Sequence, residues 1–236
     1  MITCRTRLDR YLSHELHIPR REVRLILAQG RVRVDGAVAR SIHRVVDKFC
    51  RVEFDGALLS ARAPRYIMLH KPKGVVSATQ DTRHTTVIDL LPAHERHNLH
   101  IVGRLDFNTT GLVLLTNDGQ WSQSLTHPDT KVPKLYHVTL ARPVTDEYIE
   151  AFAAGMFFEF EGITTRSAGL TIINPYEAKV VLEEGRYHQI KRMFGRFNNK
   201  VVDLHREAIG ALALPDDLLS GDSRALTAAE VEALSS

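Results

Sequence analysis

A carboxylate held in a polar loop can reach a bound sugar or base and act on it as nucleophile or as general base. Asp106 occupies such a place. It lies in Gly103-Arg104-Leu105-Asp106-Phe107-Asn108-Thr109-Thr110-Gly111-Leu112, between apolar segments, with Arg104 and two threonines close by. Aspartate in a loop also caps turns, so residue type alone leaves both readings open. Two later stretches offer companions. Lys134-Leu135-Tyr136 carries an aromatic ring that can stack on a base, or join the core with its hydroxyl bonded locally. Glu184-Gly185-Arg186-Tyr187-His188-Gln189-Ile190-Lys191-Arg192 reads as a ligand-facing basic element or as a solvated basic helix. Asp118 is a second carboxylate, but the spacing gives no ground for pairing it with Asp106 as a glycosidase would.

These residues need a frame. Residues 111–116 (GLVLLT) form a continuous apolar run suited to a buried strand, closed by Asn117-Asp118-Gly119. Strands are also expected at 65–70, 135–140, 179–182 and 201–204. Helices are expected at 86–91, with Thr85 as cap, at 146–154 and at 187–197. Thr227 and Glu230 form a capping box for a last helix ending near Leu234. This mixture implies α+β architecture with a substantial sheet over residues 65–236.

Residues 1–60 form a smaller unit. Leu8, Leu12 and Leu16 mark one face of a short helix, and Pro19 interrupts it. A second helix over 20–29 puts Val23, Ile26 and Leu27 on one side and Arg20, Arg21 and Arg24 elsewhere, with Gly30 as its stop. Arg31-Val32-Arg33-Val34 alternates as a strand, and Asp35-Gly36 and Asp55-Gly56 signal hairpins. Residues 60–64 (SARAP) read as a linker.

Charge is unevenly shared. Residues 1–64 carry 13 Lys+Arg against 7 Asp+Glu, while the remainder carries 18 against 21. A basic segment joined to a slightly acidic body suggests a polyanion-binding appendage, although a solvated charged face has the same composition. The two cysteines, Cys4 and Cys50, support neither a disulfide framework nor a zinc site. The 12 histidines show no HExxH or HxH cluster, so no metal is expected. No apolar run is long enough to span a bilayer and no secretory leader opens the chain, so a cytoplasmic protein without membrane contact is expected.

The motifs resemble known families. Arg7-Leu8-Asp9-Arg10-Tyr11-Leu12 with Gly30-Arg31-Val32-Arg33-Val34-Asp35-Gly36 is similar to the S4 RNA-binding domain. That resemblance implies structured RNA, gripped through phosphates by Arg20, Arg21, Arg24, Arg31 and Arg33. Gly103-Arg104-Leu105-Asp106, Thr109, Gly111 and Thr116-Asn117-Asp118-Gly119 match the signature of the RsuA/RluA branch of pseudouridine synthases. The resemblance implies Asp106 as catalytic carboxylate, Tyr136 as the ring under the target base and Lys191 as counter-ion. Arg104, Arg186, His188 and Gln189 would face RNA, and no cofactor would be required. Lys71-Pro72-Lys73-Gly74 and Leu204-His205-Arg206-Glu207 match further family elements. Gly119-Gln120-Trp121-Ser122 and the chain length are most similar to members acting on small-subunit (16S) ribosomal RNA. A partly assembled subunit is the expected substrate and a monomer the expected state. Members acting on large-subunit RNA share S4 and GRLD, and a non-catalytic S4-type assembly protein would need only residues 1–60.

Overall fold

The computed structural model describes residues 5–235, so Cys4 and the start of the chain lie outside it. The chain divides into two compact units, with the boundary between Pro64 and Arg65.

The first unit contains β1 (Thr6–Arg7), α1 (Leu8–Glu15), α2 (Arg20–Ala28), β2 (Val32–Val34), β3 (Ala37–Val38), β4 (Val45–Val46), β5 (Val52–Phe54) and β6 (Ala57–Ser60). Leu8 and Leu12 of α1 meet Val23 and Leu27 of α2 in a core completed by Val32, Val34 and Val52. The sheet runs β3-β2-β5-β6, and β1 pairs separately with β4. Both Asp-Gly turns place Asp and Gly at positive φ (55° and 79° at 35–36, 49° and 81° at 55–56), the backbone that a two-residue hairpin demands.

The second unit is built on a nine-stranded mixed sheet. Its strands are β7 (Tyr66–Lys71), β8 (His100–Val102), β9 (Thr110–Thr116), β10 (Lys134–Leu140), β13 (Gly169–Asn174), β14 (Glu177–Leu182), β15 (Val201–Ile209), β16 (Leu212–Ala213) and β17 (Ser223–Ala225). A small hairpin, β11 (Phe157–Phe158) and β12 (Ile163–Thr164), stands apart. The helices are α3 (Gly119–Thr126), α4 (Asp146–Ala154), α5 (Gln189–Gly195) and α6 (Ala228–Ser235). The main path runs β13-β14-β10-β15-β9-β7-β17, with β8 beside β9 and β16 beside β15. The pairing of β15 with β9 is parallel; the other named pairs are antiparallel.

Strand β9 shows why the centre of its sequence, residues 112–115, is apolar. Val113 and Leu115 enter one core with Tyr136, Val138 and Ile190, whereas Leu112 and Leu114 enter another with Met68, Trp121 and Leu234. A strand covered on both faces has no position for a polar residue. Strand β10 is covered on one face: Tyr136, Val138 and Leu140 are buried while His137 and Thr139 are half-buried.

Several expectations change. Residues 86–91 form a turn, not a helix. Thr86, not Thr85, makes the capping contacts, with its N–H and Oγ1 donating to Asp89 at 2.9 and 2.8 Å. Three β-branched residues, Thr86, Val87 and Ile88, and Pro92 leave too few positions for a helix to propagate. Residues 117–119 begin a helix instead of only closing β9: Asp118 Oδ1 accepts from the N–H groups of Gln120 and Trp121 at 3.0 and 3.3 Å. Its Oδ2 accepts from Tyr66 at 2.9 Å. With one oxygen committed to the cap and the other to Tyr66, Asp118 is taken up structurally. Strand β15 runs five residues beyond the expected end at 204. Helix α5 starts two residues later than expected because His188 adopts a left-handed conformation, φ 49°.

Candidate active site

Asp106 sits in the loop that joins β8 to β9, and this loop is fastened at many points. Lys71, at the end of β7, is fully buried. Its ammonium donates to the carbonyls of Pro72 (3.0 Å), Phe107 (3.3 Å) and Thr109 (2.8 Å). The Gly74 N–H donates to Phe107 O at 3.0 Å. Ser77 Oγ donates to Leu105 O at 2.8 Å and accepts from Leu105 N at 3.1 Å. Inside the loop, Thr109 N donates to Asp106 O at 3.1 Å. On the other side Arg206 of β15 donates to Gly103 O at 2.7 Å and Leu112 O at 2.8 Å. A loop with its backbone acceptors taken up in this way has little freedom to reorient its side chains.

The carboxylate points into an open cleft of about 80 Å³, bordered by Arg104, Leu105, Tyr136, Leu182, Ile190 and Leu204. Lys191 Nζ donates to Asp106 Oδ2 at 2.7 Å, and His188 Nε2 lies 3.4 Å from the same oxygen. Helix α5 makes this possible. Ile190, Met193 and Phe194 anchor it in the core, which leaves Lys191 on the side facing the cleft. Tyr136 is 8% exposed and lines the cleft from β10. Its hydroxyl accepts from Arg206 Nη1 at 3.5 Å. The Thr109 hydroxyl is buried and has no hydrogen-bond partner among the described residues.

The electrostatics centre on cations. Burial pushes the Lys71 ammonium down to about 8; Asp106 opposes the shift, while Arg206 and Lys191 add to it. Lys71 thus lies in electrostatic reach of Asp106, Arg206 and Lys191. Among the described residues no group of three or more metal-ligating side chains gathers. No helix there is long and apolar enough to cross a membrane.

Asp106, Tyr136, Lys191, Arg104, Arg186, His188 and Gln189 all border the one cleft. Gln189 is 3% exposed and serves the turn before α5: its amide donates to Glu184 at 2.6 Å and accepts from Arg186 N at 3.1 Å. Arg186 is exposed and pairs with Glu184 at 3.0 Å. Tyr187 is 74% exposed and stacks on His188, ring centroids 3.9 Å apart.

The arginines of the first unit behave differently. Arg20, Arg21 and Arg24 are exposed on α2. Arg31 forms a two-pronged pair with Asp55 and lies over the Phe54 ring, and Arg33 donates to Gly36 O at 2.9 Å. Sequence reasoning gave no role to Lys71, Ser77 or Arg206. The motifs around Lys71 and Arg206 were visible, but the carbonyls they serve lie far away in the chain.

Comparison with known proteins agrees with this geometry. Residues 65–195 match the RNA pseudouridylate synthase family, and residues 6–48 match the S4 domain. The chain is 51% identical over 226 residues to the ribosomal small subunit pseudouridine synthase A of Pseudomonas aeruginosa, covering 95% of this chain and 98% of that protein. It is 42% identical to the protein of the same name from Escherichia coli K12, with the same coverage. A crystal structure of a pseudouridylate synthase superposes with a TM-score of 0.71 at 38% identity, covering 97% of this chain and 99% of the other.

Proposed function

This chain belongs to the RNA pseudouridylate synthase family, and from that premise we propose that it converts one uridine of small-subunit ribosomal RNA to pseudouridine, with Asp106 as the catalytic carboxylate. The observation that carries the reading is the 2.7 Å pair of Lys191 and Asp106 at the floor of a cleft that Tyr136 also lines. The target follows from two relatives, 51% and 42% identical, whose names specify the small subunit.

The reaction breaks the N1–C1′ bond, turns the uracil and joins C5 to C1′; the C5 proton leaves and N1 takes one up. It is an isomerisation that needs no group donor. A carboxylate can attack C1′, add to the ring or take a sugar proton on the way to a glycal. Each route needs the anion beside the nucleotide, and Lys191 supplies its counter-charge. The half-buried cleft admits a base only once it leaves its stack, at a cost of a few kcal/mol. Tyr136 offers the uracil a ring to stack on, and Arg104, exposed at the rim, offers the flipped phosphate a cation. Residues 1–60 serve as the RNA-holding domain, through Arg20, Arg21 and Arg24 above all, and residues 65–236 as the catalytic domain. The substrate is a partly assembled subunit, where the target base is still accessible. The enzyme works as a cytoplasmic monomer.

The test is tritium release from RNA labelled at uracil C5. D106N should release no tritium while binding the same RNA within about twofold. Turnover by D106N would remove Asp106 from the role. Pseudouridine mapping of ribosomal RNA from cells lacking this chain should show one lost site in the small subunit; a site lost in the large subunit would overturn the target.

A further inference from the structure

Arg206 is 2% exposed, and the function proposed above gives it no task. A buried guanidinium is costly unless its donors are met, and it usually meets a carboxylate. Here it does not. Its hydrogen bonds go to Gly103 O, Leu112 O and the Tyr136 hydroxyl. Those acceptors are not a random set. Gly103 opens the loop that carries Asp106, and Leu112 lies in β9, the strand into which that loop runs. Tyr136 lies directly across the strand pair from Arg206, and its ring centroid is 6.0 Å from the guanidinium carbon. On its other side the Arg206 backbone pairs with Gly111. That approach is so close that a Cβ on Gly111, at φ +109°, would lie 2.3 Å from Arg206 O.

We propose that Arg206 is a positioning residue that locks the mouth of the Asp106 loop and the Tyr136 ring to one another, so that carboxylate and base platform keep a fixed separation. The planar fork of arginine suits this task. Nη2 reaches the start of the loop at Gly103 and Nε the strand that follows it at Leu112, while Nη1 reaches the phenol. A lysine at the same place brings the charge but lacks the fork. The proposal rests on the reading of Asp106 and Tyr136 as reacting-site residues, yet its first readout does not depend on that reading.

The experiment compares R206K and R206M in the full-length chain. Amide hydrogen exchange over residues 103–112 reports loop closure. Both variants should exchange faster there, R206M more than R206K, with the rest of the sheet unchanged. In tritium release at saturating RNA, R206M should lose about 100-fold in kcat, the size of effect expected from a displacement of about 1 Å. R206K should recover about tenfold of that loss, and KM and RNA affinity should stay within about twofold. A kcat within threefold of the parent in both variants would overturn the proposal. So would exchange that rises evenly through the sheet, because that marks a residue of general stability. If D106N kept its turnover, the catalytic reading would fall, while confined exchange at 103–112 would still decide whether Arg206 locks the loop.

Discussion

The two units use positive charge in opposite ways. In the first, Arg20, Arg21 and Arg24 stand exposed on α2. In the second, Lys71 and Arg206 are buried and committed to backbone carbonyls. Exposed charges attract a polyanion over a Debye length but fix nothing, because water and salt screen them. Buried charges attract little from a distance but hold a backbone in one place, because leaving them unmet is expensive. Affinity for RNA and geometry at the reacting atoms are therefore separable in this molecule.

That separation can be broken experimentally. After D106N, the largest effect is expected from K191M, which leaves Asp106 without its counter-ion and should lower kcat roughly 10²-fold. K191R should lose less, since it keeps the charge; single-turnover kinetics would show both, and equal turnover in K191M and the parent would dissolve the pairing argument. Next comes the triple change R20Q/R21Q/R24Q. It should raise KM about tenfold, leave kcat at saturation unchanged, and flatten the slope of log K against log salt by about 2, from about 0.7 per lost phosphate contact on single strands. A fall in kcat at saturation would mean that the basic helix also governs chemistry.

The smallest effect concerns pH. Lys71 holds its proton in the folded chain up to about 8, against 10.5 ordinarily. Between those values the unfolded chain binds more protons than the folded one, so this residue's contribution to stability rises with pH there. Over the same interval its ammonium loses a donor to the Asp106 loop. Turnover should thus decline with a midpoint near pH 8 while thermal stability holds or improves. K71R, which stays protonated, should move the decline upward. A flat profile from pH 7 to 10 would remove Lys71 from loop control.

Much of this was legible in the sequence, for identifiable reasons. The Asp-Gly hairpins were readable because two residues set their backbone. Strand β9 was readable because burial on both faces leaves no polar position. Asp106, Tyr136 and Lys191 were readable as a set because three motifs occur in the family's order, and the fold brings them to one cleft. Residues 86–91 misled because their apolar pattern matches one helical turn, while Pro92 and three β-branched residues favour a tight turn. Helix α3 was missed because Asp118 read as punctuation although it is a cap. Gln189 read as RNA-facing from the family motif it stands in; it borders the cleft, and its amide also holds Glu184 and Arg186. Lys71 and Arg206 went without a role because a buried cation is defined by its acceptors. Thr109 is 38 residues from Lys71, and Gly103 is 103 residues from Arg206.

The position of β15 has a consequence for synthesis. It is among the last strands of the chain, yet it lies inside the sheet between β10 and β9, and it carries Arg206. A growing polypeptide that has released everything through Lys191 already owns the carboxylate, the aromatic ring and the counter-ion. It still has a gap in the middle of its sheet and an unlocked loop. Such long-range closure is slow relative to local folding. Competence therefore arrives in one late step, when a single strand slides between two waiting neighbours, and the partly made protein cannot act on RNA before its own scaffold is finished.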